Sequence, residues 1–176
     1  MEDKPTLGRI TIYPVKSLDG VDLQRAIISK GGCILHDREY AITDIEGDFI
    51  IGKSNPLVHL LRSTVDFENN NISFRHEGEE KWSTFHLAKE KTAIESYLTF
   101  FFKTPCLFNQ DKEGRFMDIP DVAGLTLLSR SSLQSISEWF NLDLEETRKR
   151  FRATIEIEGV QSFWEDRLFS KKGTGI

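Results

Sequence analysis

Hydrophobic and polar residues alternate through most of the first two-thirds of the chain, which is the pattern of half-buried strands. In residues 9–15, Ile10 and Ile12 alternate with polar neighbours, and Pro14, which has no N–H, ends the strand or makes it bulge. The same pattern predicts further strands at 21–29, 38–44, 49–51, 57–68, 72–74, 82–87 and 106–108. Because Gly, Asn and Pro turns join these short runs, an antiparallel barrel or sandwich is favoured.

The period changes at residues 89–103, where one wide helical face is apolar. That face consists of Ala93, Ile94, Tyr97, Leu98, Phe101 and Phe102. We expect this helix to pack against the strands and to end before Pro105. The predicted fold class is therefore predominantly β with α (α+β), namely an antiparallel β-barrel N-terminal domain with one packed helix.

A second, incomplete β-barrel-like domain is predicted beyond a polar stretch that contains glycine and proline. The predicted division is a domain at 1–110, a connection at 111–124 and a second domain at 125–176. In the second domain we expect a strand at 125–128, then a helix capped by Ser131 or Ser132 that carries Leu133, Ile136 and Phe140 inward.

Asp143 and Glu146 have the spacing of a helix N-terminus, which predicts a short second helix that ends in the basic run 148–150. Residues 151–157 alternate again and predict a final strand. On that strand Arg152 and Thr154 would share one face.

Composition restricts the class of protein. The 176 residues are 29% charged and carry a formal net charge of −5, which argues against disorder and against nucleic acid as the main partner, despite the basic run. No apolar run approaches the ~20 residues of a transmembrane helix. An acidic pair stands where a signal peptide would be basic. Two distant cysteines, Cys33 and Cys106, indicate reduced thiols, so we expect a cytoplasmic protein without membrane contact.

Sequence motifs identify no catalytic residue and no metal ligand, since there is no phosphate loop and the four histidines lie singly. Three groupings of polar residues remain: residues 13–17 with Lys16 beside Ser17, residues 36–39 with Arg38 between acids, and Arg150, Arg152 and Thr154. If these cations converged, they would suit a phosphate-bearing ligand. Solvated, ion-paired charges are the commoner outcome for such groups.

The same motifs resemble those of the MOSC family. Residues 7–20 (LGRITIYPVKSLDG) and 31–40 (GGCILHDREY) resemble the opening of the MOSC N-terminal β-barrel domain. Residues 126–129 with 132–133, 150–152 and 163–167 (FWEDR) resemble the start of the MOSC domain proper, as found in molybdenum-cofactor sulfurases and the mitochondrial amidoxime-reducing component.

This resemblance implies a site for the molybdenum cofactor (molybdopterin), whose pterin phosphate is an anionic partner. The positions that match the family's cofactor contacts are Lys16, Ser17 and Arg38 in the first part and Arg152 in the second. Asp37 would orient Arg38, and Thr154 stands where the family has Asn, with the loss of an amide donor and acceptor. Asp166 is expected at the rim of the site.

The resemblance also implies functions: oxidoreductase activity or sulfur transfer in the complete protein, molybdenum-ion or pyridoxal phosphate binding, and an electron-donor protein as a partner. The family's metal-binding cysteine follows the Glu-Asp segment, where this chain has no cysteine. We therefore expect a truncated MOSC domain that is inactive alone. The alternative is a non-catalytic β-barrel module that binds an anionic ligand or a protein partner.

Overall fold

The fold is known from a computed structural model, which describes residues 4–29, 32–112, 116–117 and 124–168. These residues form nine strands and three α-helices. The elements are β1 (Thr6–Ile12), β2 (Val21–Leu23), β3 (Tyr40–Thr43), β4 (Leu61–Asp66), β5 (Asn71–His76), β6 (Ser83–His86), α1 (Lys91–Phe102), β7 (Leu107–Gln110), β8 (Leu127–Ser129), α2 (Arg130–Phe140), α3 (Leu144–Phe151) and β9 (Ile155–Glu158). The same residues also contain 3-10 helices at Pro56–Leu60 and Trp164–Leu168.

The chain separates into two compact units that do not follow the sequence order. The first, unit A, combines residues 1–11, 22–27 and 124–176, and the second, unit B, combines residues 12–21 and 28–123. The α+β fold class is confirmed, and the described residues form sheets of two to four strands without closing a barrel. The predicted division at 110 and 124 stays a prediction, and most of the predicted connection lies outside the described residues.

Unit A is built on a four-stranded sheet in the order β2-β1-β9-β8. Strand β1 pairs antiparallel with β9, from Thr6 opposite Glu158 to Ile10 opposite Ile155. Strand β8 pairs parallel with β9, in the predicted second domain, for which the sequence pattern predicts strands without a pairing direction. The reason is the connection: a parallel pair needs a crossover, and α2 and α3 provide it.

Helix α2 follows β8 without a loop, and its N-cap is Ser129. The hydroxyl of Ser129 accepts a hydrogen bond from the N–H of Ser132 at 3.2 Å, so the expected caps Ser131 and Ser132 are wrong. Leu133 is buried as predicted, whereas Phe140 is 69% exposed and does not point inward.

The predicted start of α3 is confirmed, because the Asp143 carboxylate accepts a hydrogen bond from the N–H of Glu146 at 2.7 Å. The final strand begins later than expected. Phe151 still belongs to α3, and Arg152 adopts a left-handed conformation at its C-cap (φ 54°). Since β9 starts only at Ile155, the prediction that Arg152 and Thr154 share a strand face is wrong.

Unit B contains a two-stranded pair, β3 with β7, and a three-stranded meander, β4-β5-β6. Turns at residues 67–70 and 77–78 connect the meander strands, in agreement with the turns that the Asn and Gly residues there predict. The predicted strand 57–68 is shorter than expected, because Pro56 opens a 3-10 helix before β4. The side chain of Asn55 accepts a hydrogen bond from the N–H of Leu57 at 3.0 Å and caps that helix, so the turn chemistry overrides the apolar pattern.

The core of unit B lies under α1, as the helical period predicts. Ile94, Leu98 and Phe102 are buried and belong to one cluster with residues of β3, β4, β5 and β7. Ala93, at the margin of the predicted face, is exposed. Both cysteines are buried and neither forms a disulfide, while the prediction of reduced thiols stays a prediction. Among the described residues, no helix has the length and apolar character needed to cross a bilayer.

Candidate cofactor site

Backbone hydrogen bonds in unit B bring together the two motifs that the sequence singles out. The N–H of Arg38 donates to the carbonyl of Tyr13 at 2.9 Å, and the N–H of Tyr40 donates to the carbonyl of Pro14 at 2.9 Å. The N–H of Lys16 donates in turn to the carbonyl of Tyr40 at 2.8 Å. Residues 13–16 therefore lie directly beside residues 38–40.

Three non-glycine residues of these two segments have a positive φ angle. The values are 67° for Ser17, 69° for His36 and 51° for Arg38. Such conformations cost roughly 1–3 kcal/mol each and cluster at binding and catalytic sites. The strain marks the two turns, and the residue types carry no local signal for it, because none of these positions is Gly or Asn.

Asp37 connects the two segments through its carboxylate, which is 1% exposed. One oxygen, Oδ1, accepts the N–H of Tyr13 at 2.8 Å, and the other, Oδ2, accepts Nη1 of Arg38 at 2.5 Å. The Arg38 guanidinium also lies over the Tyr13 ring, 4.7 Å from its centroid. Arg38 is thus held in one orientation by a charge and an aromatic face.

Lys16 is held differently. Its ammonium group donates to the carbonyl of Phe116 at 2.9 Å and lies 5.1 Å from the centroid of the Phe49 ring. The rings of Phe49 and Phe116 meet edge to face with centroids 5.9 Å apart. A Lys ammonium is a point charge on a flexible stem, so these contacts position it without fixing the direction of every donor.

Sequence reasoning missed a buried polar network that is centred on Glu39, the residue after Arg38. The Glu39 carboxylate is buried and pairs with Nδ1 of His36 at 2.5 Å. Its other oxygen accepts Nε2 of Gln110 at 2.6 Å, and Gln110 also contacts the Tyr40 hydroxyl at 3.1 Å. Burial and the Glu39 charge raise the pKa of Tyr40. No local signal could reveal Gln110, which is 71 positions from Glu39.

The predicted site residues of the second part lie in unit A. Arg152 is half-buried at the C-cap of α3, and its N–H donates to the carbonyl of Arg148 at 2.8 Å. Thr154 is 1% exposed. Its hydroxyl accepts the N–H of Thr126 at 3.0 Å and is also 3.0 Å from the Thr126 carbonyl, to which it donates.

Asp166 is exposed in the last 3-10 helix, whereas its neighbour Glu165 is buried. The Glu165 carboxylate accepts the N–H of Ser129 at 3.4 Å, at the start of α2. Burial alone would raise the pKa of Glu165, but hydrogen bonds from Ser132 and Ser129 hold it below its usual value. Glu165 thus stays charged and supports the helix start, while the role of Asp166 stays a prediction.

Comparison with known proteins identifies the family. The family model of the MOSC N-terminal beta barrel domain matches residues 4–119. The chain belongs to this family. A molybdenum cofactor sulfurase of Arabidopsis thaliana is 33% identical over 67 residues, which are 38% of this chain and 8% of that relative. The chain therefore spans only a small part of the relative's length.

The cations of this MOSC chain suit the phosphate of the molybdenum cofactor that the motifs imply. Arg38 is 15% exposed, and the buried Asp37 carboxylate orients it. Lys16 is half-buried, and its backbone N–H is bonded to the carbonyl of Tyr40, two residues after Arg38. Both offer charged donors to a phosphate oxygen.

The metal end of such a cofactor finds no preformed cluster of ligands among the described residues. No group of three His, Cys, Asp or Glu side chains there could hold a metal ion. Burial raises the pKa of the Cys106 thiol to about 11, so it is protonated at neutral pH. A metal would need the thiolate. The residues described thus fit the phosphate of the cofactor, whereas the protonated Cys106 thiol does not suit its metal.

Proposed function

We propose that unit B binds the pterin phosphate of a molybdenum cofactor, in a protein of the oxidoreductase or sulfur-carrying type. The observation that carries this proposal is the hydrogen-bonded pairing of residues 13–16 with residues 38–40. That pairing brings the backbones of two otherwise distant cationic motifs side by side. The motif match to the MOSC family and the name of the sulfurase relative support it.

Each residue has a separate part in this proposal. Arg38 supplies planar, directional donors to the phosphate, and Asp37 orients it from behind. Lys16 supplies a second charge once its ammonium exchanges the Phe116 carbonyl for a phosphate oxygen. Ser17 supplies a hydroxyl donor beside Lys16.

The remaining expectations of the resemblance stay predictions. These are the contacts of Arg152, Thr154 and Asp166 with the cofactor, pyridoxal phosphate binding and an electron-donor protein as partner. For Thr154 the structure adds a competing task, since its buried hydroxyl already bonds to Thr126.

The test is the cofactor content of the purified chain. The chain is expressed in cells with intact cofactor synthesis, and bound pterin is released, oxidised and measured by fluorescence, with molybdenum measured in parallel. We expect Arg38→Gln and Lys16→Gln to lower the pterin content about tenfold, the effect of losing one charged hydrogen bond of about 1.5–3 kcal/mol.

A matched control for Arg38 is Arg75, whose guanidinium lies 4.9 Å from the Trp82 ring in the same unit. Arg75→Gln removes a cation from an aromatic face without touching the paired motifs, so it should leave the pterin content unchanged. Wild-type chain without pterin, or an equal loss in Arg75→Gln, contradicts the proposal. Circular dichroism of each variant separates lost binding from lost folding.

A non-catalytic module that binds an anion is the second candidate. It is favoured by the burial of both cysteines and by the raised pKa of Cys106, which keeps that residue a thiol in the core rather than a thiolate at a site. Binding of inorganic phosphate that depends on Arg38, together with no pterin in the purified chain, would favour this candidate over the first.

A further inference from the structure

The His36 side chain is held by two contacts to which the proposed cofactor site assigns no part. Its Nδ1 lies 2.5 Å from Oε2 of Glu39, and its ring stacks on Phe67 with centroids 4.5 Å apart. The other Glu39 oxygen accepts Nε2 of Gln110 at 2.6 Å. Phe67 follows β4 and Gln110 ends β7, so these contacts join three distant segments of unit B. We call His36 and Glu39 the anchor pair.

The anchor pair flanks the two residues that direct a cation towards the proposed site. Between His36 and Glu39 in the chain, Asp37 accepts the N–H of Tyr13, and Arg38 donates its own N–H to the Tyr13 carbonyl. The φ angles of His36 and Arg38 are 69° and 51°. Such conformations persist only where the surrounding contacts impose them. The orientation of Arg38 therefore depends on the contacts of the anchor pair.

The charge of His36 decides how strongly the anchor pair interacts. Glu39 is buried, and its other described donor is the neutral amide of Gln110. An imidazolium gives this carboxylate a hydrogen bond and an opposite charge, whereas a neutral imidazole gives the hydrogen bond alone. The His36 side chain is 39% exposed, so protons reach it from solvent. Histidines change charge between about pH 5 and about pH 8, and the pair is strongest at the acid end of that range.

The ionisable groups on the same segment and on β3 have other partners. One oxygen of Asp37 is bonded to Arg38 and the other to the backbone of the opposite segment. Burial and the charge of Glu39 raise the pKa of Tyr40, so its hydroxyl stays neutral in this range. Neither Asp37 nor Tyr40 thus changes charge between pH 5 and pH 8.

The acidic residues on the other two packed segments are carboxylates, which titrate below this range. In the turn that carries Phe67, the Asp66 carboxylate is bonded to Asn69 and Glu68 is exposed. At the end of β7, Asp111 contacts Glu39 through its backbone N–H, at 2.8 Å from the carbonyl. Of all these groups, His36 is the one that gains or loses a proton near neutral pH.

We propose that the anchor pair positions Arg38 for an anion and holds it more firmly when His36 is charged. His36 and Glu39 act through Arg38 and are positioning residues, since neither is placed on the anion. Affinity for the anion falls as the pH rises and the imidazolium loses its proton. The inference rests on the proposed function for the identity of the anion, while the anchor pair itself can be measured without a ligand.

Amide hydrogen exchange of the full 176-residue chain, followed by NMR, measures the anchor pair directly. The readout is the protection factor, which corrects for the pH dependence of exchange itself. We expect the amides of Tyr13 and Arg38 to be about fivefold better protected at about pH 5.5 than at about pH 8. The amides of β5, elsewhere in unit B, should show no such difference. This comparison needs no variant.

Two variants and a matched control assign the effect to the anchor pair. His36→Gln keeps a donor for Glu39 but no charge, and Glu39→Gln removes the carboxylate, so each should abolish the pH dependence of the two amides. His76→Gln is the control. Nδ1 of His76 lies 2.6 Å from the carbonyl of Glu77, and its ring lies 5.7 Å from that of Phe101. Since its acceptor is a carbonyl and not a carboxylate, this variant should keep the wild-type pH dependence.

Sulfate is the probe for the anion, because its charge is constant over this pH range. Chain made in cells that lack cofactor synthesis is titrated with sulfate at constant ionic strength, and the amide shift of Arg38 is followed. The Kd should be about fivefold higher at about pH 8 than at about pH 5.5. In His36→Gln and in Glu39→Gln the two Kd values should be equal.

Four results would overturn the proposal. They are equal protection of the two amides at both pH values, no binding of sulfate by the wild type, an equal loss of protection in the β5 amides of His36→Gln, and a pH-dependent Kd that persists in Glu39→Gln. The third would show that His36 only supports the fold, and the fourth that it contacts the anion itself. Wild-type chain without pterin would contradict the proposed function alone, because both measurements are made without pterin.

Discussion

Arg38 in unit B and Arg148 in unit A are almost equally shielded from solvent, with 15% and 16% of their side chains exposed, yet they are used in opposite ways. Arg148 makes a two-point pair with the buried Glu156, both distances being 2.7 Å, and a further contact with Glu145 at 2.5 Å. Arg38 makes one hydrogen bond to Asp37 and lies on the Tyr13 ring.

The difference separates a structural cation from one available to a ligand. Two carboxylates bind three nitrogen atoms of Arg148, and the hydrogen bond to Glu156 is the main cause of its raised pKa. For Arg38, among the described contacts, only Nη1 is occupied by a carboxylate. A guanidinium that is oriented but not saturated can bind an anion, whereas a saturated one stabilises the fold.

The largest expected effect comes from Arg148→Met. It leaves Glu156 charged, buried and unpaired, which costs about 3–5 kcal/mol of the free energy of unfolding. Urea denaturation measures it. Adding Glu156→Leu to the same chain should restore most of the loss, because no buried charge then remains. A single variant that loses less than about 1 kcal/mol would show that Arg148 is not structural.

A smaller effect is expected from Arg38→Lys, which keeps the charge near Asp37 but loses the planar arrangement of donors. The pterin content should fall about tenfold, or about 1.4 kcal/mol, while the urea midpoint stays close to that of the wild type. If Arg38→Lys unfolds as readily as Arg148→Met, the contrast between the two arginines is wrong.

Acid titration of the ion-paired carboxylates in unit A tests whether its arginines are structural. Burial alone would raise the pKa of Asp22, but hydrogen bonds from Arg9 and Thr11 hold it below its usual 3.8. Burial would likewise raise the pKa of Glu145, but Arg9 and Arg148 lower it. A depressed folded pKa means that the stabilisation is present above the unfolded pKa and is lost as pH falls through the folded one. In urea unfolding, the stability that these groups contribute should therefore be retained well above their unfolded pKa values of 3.8 and 4.5 and should decline as the pH falls below them.

Asp22→Asn is the matched variant for this acid titration. It should be less stable than the wild type at neutral pH, since Arg9 loses its closest carboxylate at 2.7 Å, and it should show a flatter decline in acid. An unchanged slope would mean that the ion pairs of unit A do not carry the acid sensitivity.

The smallest effect concerns Cys106 in the core of unit B. Burial raises the pKa of its thiol from 9.0 to about 11. A raised folded pKa means that the contribution is complete below pH 9 and is lost as pH rises towards the folded value. Native chain should react slowly with Ellman's reagent at pH 8, and its stability should decline above pH 9 less steeply in Cys106→Ala. Rapid native reaction would show that the thiol is accessible.

Local patterns predicted those parts of the fold that local interactions determine. Helix α1 and its buried residues Ile94 and Leu98 follow from a helical period, and the Asp143 cap follows from one hydrogen bond three residues away. The 3-10 helix at Pro56–Leu60 was missed because its apolar residues look the same on a strand. The prediction that Arg152 lies on a strand is wrong because apolar and polar residues continue to alternate through the C-cap of α3. Only the left-handed backbone conformation of Arg152 shows that the helix ends there.

The sequence predicts which residue types form the candidate site, but it does not predict how they are arranged in space. Lys16 and Arg38 could be marked as cations that suit an anion, but nothing local shows that residue 38 bonds to residue 13. Long-range pairing also explains why Gln110 and Thr126 were missed. Each is an ordinary polar residue until its distant partner, Glu39 or Thr154, is known.

The pairing of β1 with β9 joins residues 152 positions apart, from Thr6 to Glu158. All of unit B lies between these two residues in the chain. During synthesis β1 therefore leaves the ribosome first, but it cannot pair with β9 until nearly the whole chain has been made. Unit B contains no residue beyond 123 and can fold before that. Once folded, it replaces a long flexible loop by a fixed one and lowers the entropic cost of closing unit A. From this connectivity we expect unit B to fold before unit A, although β1 of unit A is made first.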